Sequence, residues 1–104
     1  MKEKNYRTIV MRPEDSVAVA LEEIPAKTKL TVTLPDKKTK EIILKETILF
    51  GHKFAIKLVT AGSTILKYGE VIGKAIRDIE EGEHVHVHNL EGVRGRGDKV
   101  VGNK

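Results

Sequence analysis

Three histidines alternate with two valines near the end of the chain, in the order His84-Val85-His86-Val87-His88. Alternate side chains of a β-strand point to the same face, and the β-branched valines favour a strand, so the three imidazoles are expected to share one face. Same-face neighbours lie about 6.5–7 Å apart along a strand, so two adjacent imidazoles can bind one metal ion through bonds of about 2.1 Å. The first and third rings are about twice as far apart, so one ion can take all three only if the strand bends.

The residues themselves leave two interpretations of this strand open. The imidazoles either bind a metal or a substrate, or they form an exposed strand face that contacts only water. His52 follows Gly51 at the start of a predicted strand, where it either converges with the His84–His88 strand or hydrogen-bonds a loop carbonyl. An imidazole also serves as an acid or a base near neutral pH.

The composition describes a small domain without thiol chemistry. The chain has 104 residues, 39% of them hydrophobic, and no Cys, which excludes disulfides and thiolate metal sites. The apolar runs are too short to span a membrane, and the N-terminus lacks the apolar segment of a signal peptide. We therefore expect a cytoplasmic protein with no membrane partner.

The net charge of +4 is concentrated at the two ends of the chain. Basic residues dominate residues 1–12 and 93–104, whereas residues 13–92 carry more acidic than basic groups. The body of the chain therefore lacks the basic surface that nucleic acids require. The chain contains only two Phe, two Tyr and no Trp, so it has no stacking platform for single strands either.

Short strands separated by turns account for most of the sequence, and no segment has a sustained helical period. The predicted strands cover residues 6–11, 17–21, 30–34, 41–49, 54–59, 64–67 and 84–88. The glycines of residues 71–75 disfavour a helix there. The prediction is a mostly β fold with at most one or two short helical turns, placed around Ala61 or Glu80. Its domain covers residues 1–92, and residues 93–104 form a flexible, basic, Gly-rich tail or linker.

An internal repeat links three parts of the chain, residues 21–30, 56–65 and 76–85. Each copy has an apolar residue, a charged residue, a second apolar residue three positions on, a tight turn and then a strand. The unequal spacing of the copies predicts one domain with repeated corners rather than a solenoid. Lys27 stands in the first corner at a position where Gly is expected.

These motifs carry a resemblance to a known family. The corner at residues 77–83 resembles the SAF domain, a β-clip module related to type III antifreeze proteins. The strings GHKFA at 51–55, KYGEVIGKA at 67–75 and GEHVHVHNL at 82–90 are more specific. Together they are similar to the N-terminal domain of the altronate/galactarate dehydratase family, which is fused to a large catalytic domain or made as a separate small subunit. A sulfolactate sulfo-lyase has a similar small subunit, and the resemblance covers roughly residues 5 to 97.

The resemblance implies dehydration of an altronate-like or galactarate-like acid. The expected cofactor is a divalent metal, Fe²⁺ or alternatively Mn²⁺, bound to His84, His86 and His88. His86 and His52 are expected to be catalytic. Lys53 and Tyr68 are expected to contact the substrate, although a tyrosine at such a position is also commonly a packing residue. The chain is expected to complete the active site of a large catalytic subunit and to be inactive alone.

Three alternatives to a dehydratase subunit remain open. The chain can be the small subunit of a sulfolactate sulfo-lyase, or a module that binds a sugar acid or a metal without turnover. It can also be a structural domain that forms a homo-oligomer through its edge strands.

Overall fold

Nine short strands make up the ordered framework of the computed structural model, which describes residues 6–92. They are β1 Thr8–Ile9, β2 Val17–Ala20, β3 Lys29–Thr33, β4 Thr39–Ile43, β5 Lys53–Ala55, β6 Thr64–Lys67, β7 Glu70–Ala75, β8 His84–Val85 and β9 Leu90–Gly92. Residues 6–92 contain no helix, and the positions considered for helical turns, Ala61 and Glu80, lie in hydrogen-bonded turns instead. The mostly β fold is confirmed. Across this part of the chain no helix is long and apolar enough to span a membrane.

The strands form three antiparallel sheets. The largest has the order β1-β2-β5-β8, a second is the β3-β4 hairpin, and the third has the order β6-β7-β9. β8 is therefore at the edge of the largest sheet and pairs only with β5. This places the N-terminal end of the histidine segment at a sheet edge, where its side chains can reach solvent.

Two apolar clusters form the core on the two sides of the largest sheet. One surrounds Phe54 and the other surrounds Ile65 and Val85, all fully buried. All four residues of β2 are buried; Ala18 and Ala20 belong to the first cluster and Val17 to the second. The continuous apolar run of this strand is thus explained by burial on both faces.

Four corners of the same geometry connect the strands. In each, the N–H of the fourth residue donates to the C=O of the first, over 2.9–3.3 Å, and the third residue has a positive φ. Such turns are type II, which favours Gly at the third position. They are Pro25–Thr28, Leu49–His52, Thr60–Ser63 and Glu80–Glu83, with φ of 69° at Lys27, 83° at Gly51, 86° at Gly62 and 90° at Gly82.

The corners are joined in pairs by short backbone bridges, Ile24 to Ile48 and Val59 to Ile79. Three of them are the corners of the predicted repeat, whose tight turns are confirmed. The fourth, Leu49–His52, was not predicted, because its first two positions, both exposed, hold the apolar residues Leu49 and Phe50 instead of the usual polar or small ones. It runs directly into β5 and carries His52 as its last residue.

Several predicted strands are shorter in the structure. The predicted strand at 41–49 ends at Ile43, and the one at 54–59 is Lys53–Ala55, because corners intervene. The predicted strand at 84–88 is wrong beyond Val85: the C=O of His86 accepts hydrogen bonds from the N–H groups of Asn89 and Leu90, which closes a turn. The predicted tail at 93–104 lies outside the described residues.

Candidate functional site

The pairing of β5 with β8 determines which histidines meet. Phe54 lies opposite His84 in this antiparallel pair, and Lys53 lies opposite Val85. Continuing the same register by one pair places His52, the last residue of the Leu49–His52 corner, opposite His86. The imidazoles therefore come from two separate segments, 32 residues apart in the case of His52 and His84.

Four imidazole rings form a cluster at this edge. The Nδ1 of His52 lies 2.9 Å from the Nε2 of His84 in a hydrogen bond. The ring centroids of His52, His84 and His86 are 5.1–5.4 Å apart, and one nitrogen from each ring lies within 4.8 Å of the other two. The ring of His88 contacts that of His84 at 5.5 Å but does not belong to the three-nitrogen group.

The turn after Val85 provides the bend that the alternating strand lacked. Because the backbone turns at His86, the ring of His88 returns to within contact of His84 rather than continuing along a strand. The grouping of His84, His86 and His88 was thus predicted, but the turn that produces it was not, and the convergence of His52 was one of two alternatives that the sequence left open. Which of the four rings bind a metal remains a prediction.

Two side chains hold the backbone of the histidine segment. The backbone N–H of His84 donates to Oε2 of Glu46 at 3.0 Å, and its C=O accepts from Nδ2 of Asn89 at 2.9 Å. The Oδ1 of Asn89 accepts from the N–H of His86 at 3.0 Å, and Asn89 itself is fully buried. The outer edge of β8 is therefore occupied by side chains and is closed to pairing with another strand.

The environment favours the neutral form of two of the rings, His84 and His86, because it lowers their pKa. Burial, followed by the neighbouring His52, His86 and His88, lowers the pKa of His84 below its ordinary 6.5, while Glu46 opposes the shift. Partial desolvation also lowers the pKa of His86, together with the charges of His52, Lys53 and His88. A neutral imidazole has the free lone pair that metal binding or proton abstraction needs.

The donor set fits a divalent transition metal. Imidazole nitrogens suit Fe, Zn, Cu and Ni, and bonds of about 2.1 Å place two ligands of one ion about 3.0–3.4 Å apart. The 2.9 Å between His52 and His84 is close to that separation, and the third nitrogen lies within reach. Apart from the bond between His52 and His84, the ring nitrogens make no hydrogen bond to a protein group of residues 6–92, so they can accept a ligand.

The two predicted substrate contacts lie at different distances from the cluster. Lys53 follows His52 directly, and its positive charge contributes to the lowered pKa of His86. Burial and the nearby Lys67 lower the pKa of Lys53 itself. Tyr68 sits at the tip of the β6-β7 hairpin with a φ of 56°, and the ammonium group of Lys67 lies 5.0 Å from its ring centre. No contact joins Tyr68 to the imidazoles within residues 6–92.

Glu46 and Asn89 are the site residues that sequence reasoning missed. Asn89 closes the turn after the last histidine, and its fully buried side chain also fixes the backbone of two histidines. Its position directly after the last histidine was the available signal. Glu46 lies 38 residues from His84 and no local pattern indicates its role.

A small all-strand domain with an imidazole cluster at a sheet edge is the class that the fold and the site define. Residues 6–93 match the model of the altronate/galactarate dehydratase SAF domain, and the chain belongs to this family.

Its relatives carry the domain in two arrangements. The chain is 41% identical over 75 residues to the altronate dehydratase of Escherichia coli, of which it covers 14%, and 37% identical over 83 residues to that of Bacillus subtilis, of which it covers 16%. It is 36% identical over 85 residues to the (2R)-sulfolactate sulfo-lyase subunit alpha of Chromohalobacter salexigens, of which it covers 90%. The chain thus spans about a seventh of the dehydratases but most of the sulfo-lyase subunit.

Proposed function

We propose that this chain is the imidazole-bearing domain of a metal-dependent hydro-lyase for sugar acids of the altronate or galactarate type, and that it completes an active site on a larger catalytic polypeptide. The carrying observation is the convergence of His52, His84 and His86 within 4.8 Å at a partly exposed sheet edge. The family supports the reaction type, because relatives of this domain are named altronate dehydratase.

The cluster is incomplete as an active site, and this supports the need for a partner. The four histidines are partly or largely exposed, and none of them lines either of two surface cavities of about 260 and 240 Å³ formed by residues 6–92. Catalytic metal sites need a shell that excludes water and orients the substrate. The catalytic polypeptide supplies that shell in this proposal.

Each residue of the cluster has a role in the proposal. His52, His84 and His86 hold the ion, expected to be Fe²⁺ or alternatively Mn²⁺. When bound, such an ion acidifies the C–H next to a carboxylate and assists departure of the hydroxyl group. His88, which lies beside the three-nitrogen group, exchanges a proton with the substrate, and Lys53 attracts its carboxylate. Sequence reasoning gave the ligand set as His84, His86 and His88, so the choice between His52 and His88 needs a direct test.

A chimeric enzyme tests the proposed activity. The matched segment of the Escherichia coli altronate dehydratase is replaced by the equivalent residues of this chain, and altronate and galactarate turnover is measured with added Fe²⁺ or Mn²⁺. We expect the chimera to be active and its His84→Ala/His86→Ala variant to lose at least about 100-fold in kcat. Full activity of the dehydratase after deletion of the segment would contradict the proposal.

The sulfo-lyase alternative is favoured by one observation, the 90% coverage of the sulfo-lyase alpha subunit. It is tested by adding this chain to the Chromohalobacter salexigens sulfo-lyase purified without its alpha subunit. If the chain restores turnover of (2R)-sulfolactate while the altronate dehydratase chimera is inactive, the sulfo-lyase reaction replaces dehydration as the proposed activity.

A further inference from the structure

Exposed apolar residues flank the imidazoles in the sequence. Leu49 and Phe50, the first two residues of the corner that ends in His52, are 50% and 69% exposed, and Val87, in the turn that begins at His86, is 73% exposed. The rings of His52 and His86 are 5.3 Å apart, which brings the two turns side by side. We name Leu49, Phe50 and Val87 the apolar rim.

The other three corners show that the apolar residues are not required by the turn. The second and third positions of these corners hold Ala26 and Lys27, Ala61 and Gly62, or Glu81 and Gly82, where the Leu49–His52 corner has Phe50 and Gly51. The first position holds Pro25, Thr60 or Glu80 where the fourth corner has Leu49. The same backbone geometry is therefore compatible with polar side chains, and solvent exposure of Phe50 has no structural explanation within residues 6–92.

The shape of the edge determines how a partner can bind there. The N–H and C=O groups of His84 are already taken by Glu46 and Asn89, so a partner cannot extend the sheet by adding a strand to β8. Contact must come through side chains, and the rim offers one aromatic and two aliphatic groups around a polar centre. Such an arrangement is typical of the anchors of a protein interface.

We infer that the apolar rim is the docking surface for the catalytic polypeptide of the lyase, and that docking covers the imidazole cluster. The inference rests on the proposed function and names the surface that it uses. The relatives indicate the occupant. The domain is 14–16% of the altronate dehydratases, where its partner is the rest of the same polypeptide. It is nearly all of a chain named subunit alpha, where its partner is a separate polypeptide. A surface that serves both arrangements must lie on the domain itself.

Binding in solution tests the inference. The probe is the Chromohalobacter salexigens sulfo-lyase purified without its alpha subunit, titrated with the fluorescently labelled full chain and followed by anisotropy. We expect saturable binding, weakened at least about tenfold by Phe50→Ser combined with Val87→Ser. The matched control is Leu58→Ser combined with Ile43→Thr, since these residues are 61% and 59% exposed away from the rim. The control should change the affinity less than about twofold.

The outcomes separate the inference from the proposed function. Rim variants that bind as tightly as the wild type, or a wild-type chain that does not bind, overturn the docking surface, while an active altronate dehydratase chimera still upholds the proposed function. Sedimentation of the chain alone identifies the competing occupant. Self-association that disappears in the Phe50→Ser variant would assign the rim to a second copy and overturn the inference. Because all substituted residues are exposed, unchanged circular dichroism and melting temperature will show that every variant is folded.

Discussion

Two polar clusters of this domain differ in how completely their hydrogen bonds are satisfied. Asp15 is 1% exposed, and its carboxylate accepts four backbone hydrogen bonds, from Met11, Arg12, Tyr68 and Gly69, over 2.8–3.2 Å. It ties the segment before β2 to the tip of the β6-β7 hairpin. The four imidazoles share a single hydrogen bond between two of their rings within residues 6–92.

The difference separates a polar group that stabilises the fold from one that is available for chemistry. A carboxylate with four N–H donors has no capacity left for a ligand, and its removal leaves buried donors without partners. Desolvation, and then the proximity of the other imidazoles, lowers the pKa of His84 and His86, and no compensating set of hydrogen bonds forms around the rings within residues 6–92. Arrangements that favour a ligand over the fold are typical of functional sites.

The largest expected effect is on stability, at the satisfied cluster. Asp15→Ala should lower the free energy of unfolding by about 3 kcal/mol or more, because four N–H groups lose their acceptor. Urea denaturation followed by circular dichroism measures the change. Glu14→Ala is the matched control, since Glu14 is the exposed neighbour. A loss no larger than that of the control would show that the bonds of Asp15 do not hold the hairpin.

The imidazole cluster should respond mainly in metal binding, with a smaller effect on stability. His84→Ala and His52→Ala should each weaken Co²⁺ or Fe²⁺ binding at least about 100-fold, because each removes a proposed ligand, whereas His88→Ala should cost less than about tenfold. Calorimetric titration of the full chain under anaerobic conditions measures the affinities. If His88→Ala has the large effect and His52→Ala the small one, the ligand set derived from the sequence is the correct one.

Asn89 tests whether a buried side chain with satisfied hydrogen bonds also supports the metal site. Asn89→Asp retains the oxygen that accepts from the N–H of His86 but loses the donor to the C=O of His84. We expect metal affinity to fall about tenfold, in the range seen when groups that support ligands are removed. Thr39→Ser, at the exposed start of β4, is a mild control. Unchanged metal affinity in a folded variant would mean that Asn89 only closes the turn.

A smaller effect is expected at the corners. Lys27 adopts the left-handed φ that Gly occupies in the other three corners. Lys27→Gly should therefore stabilise the domain by about 0.5–1 kcal/mol. This is the backbone strain that Gly relieves, minus the cost of the conformational entropy that Gly adds to the unfolded chain. Thermal and urea denaturation measure it, with Lys37→Gly, which also has a positive φ, as a second example. Destabilisation by both substitutions would refute this account of the corners.

The smallest effect concerns pH. The folded state lowers the pKa of His84 and His86 below 6.5, so the unfolded chain takes up protons at a higher pH than the folded chain. The free energy of unfolding should therefore be greatest above pH 6.5 and fall as the pH decreases through 6.5 towards the lowered values. Urea denaturation between pH 5.5 and 7.5 measures this slope, which should be shallower in His84→Ala/His86→Ala. A rise in stability on acidification would contradict the sign.

Much of the scaffold was predictable, because its signals are local. Runs such as Val17–Ala20 and Thr64–Lys67 have strand composition and turn residues on both sides, and both are strands. The repeated corners at residues 25–28, 60–63 and 80–83 depend on four consecutive residues with a tight turn, which a sequence shows directly. The motifs GHKFA and GEHVHVHNL were specific enough to identify the family before any coordinates.

The residue types of the site, four imidazoles and their flanking glycines, can be read from the amino-acid sequence, because side-chain chemistry is written in the chain. Their arrangement follows from folding. The turn at His86–Asn89 depends on the burial of an amide side chain, the meeting of His52 with His84 depends on the register of β5 with β8, and the support from Glu46 comes from 38 residues away. The last two are contacts between segments distant in sequence, and the first needs a buried position for Asn89. All three are therefore fixed by packing of the whole domain rather than by a local pattern.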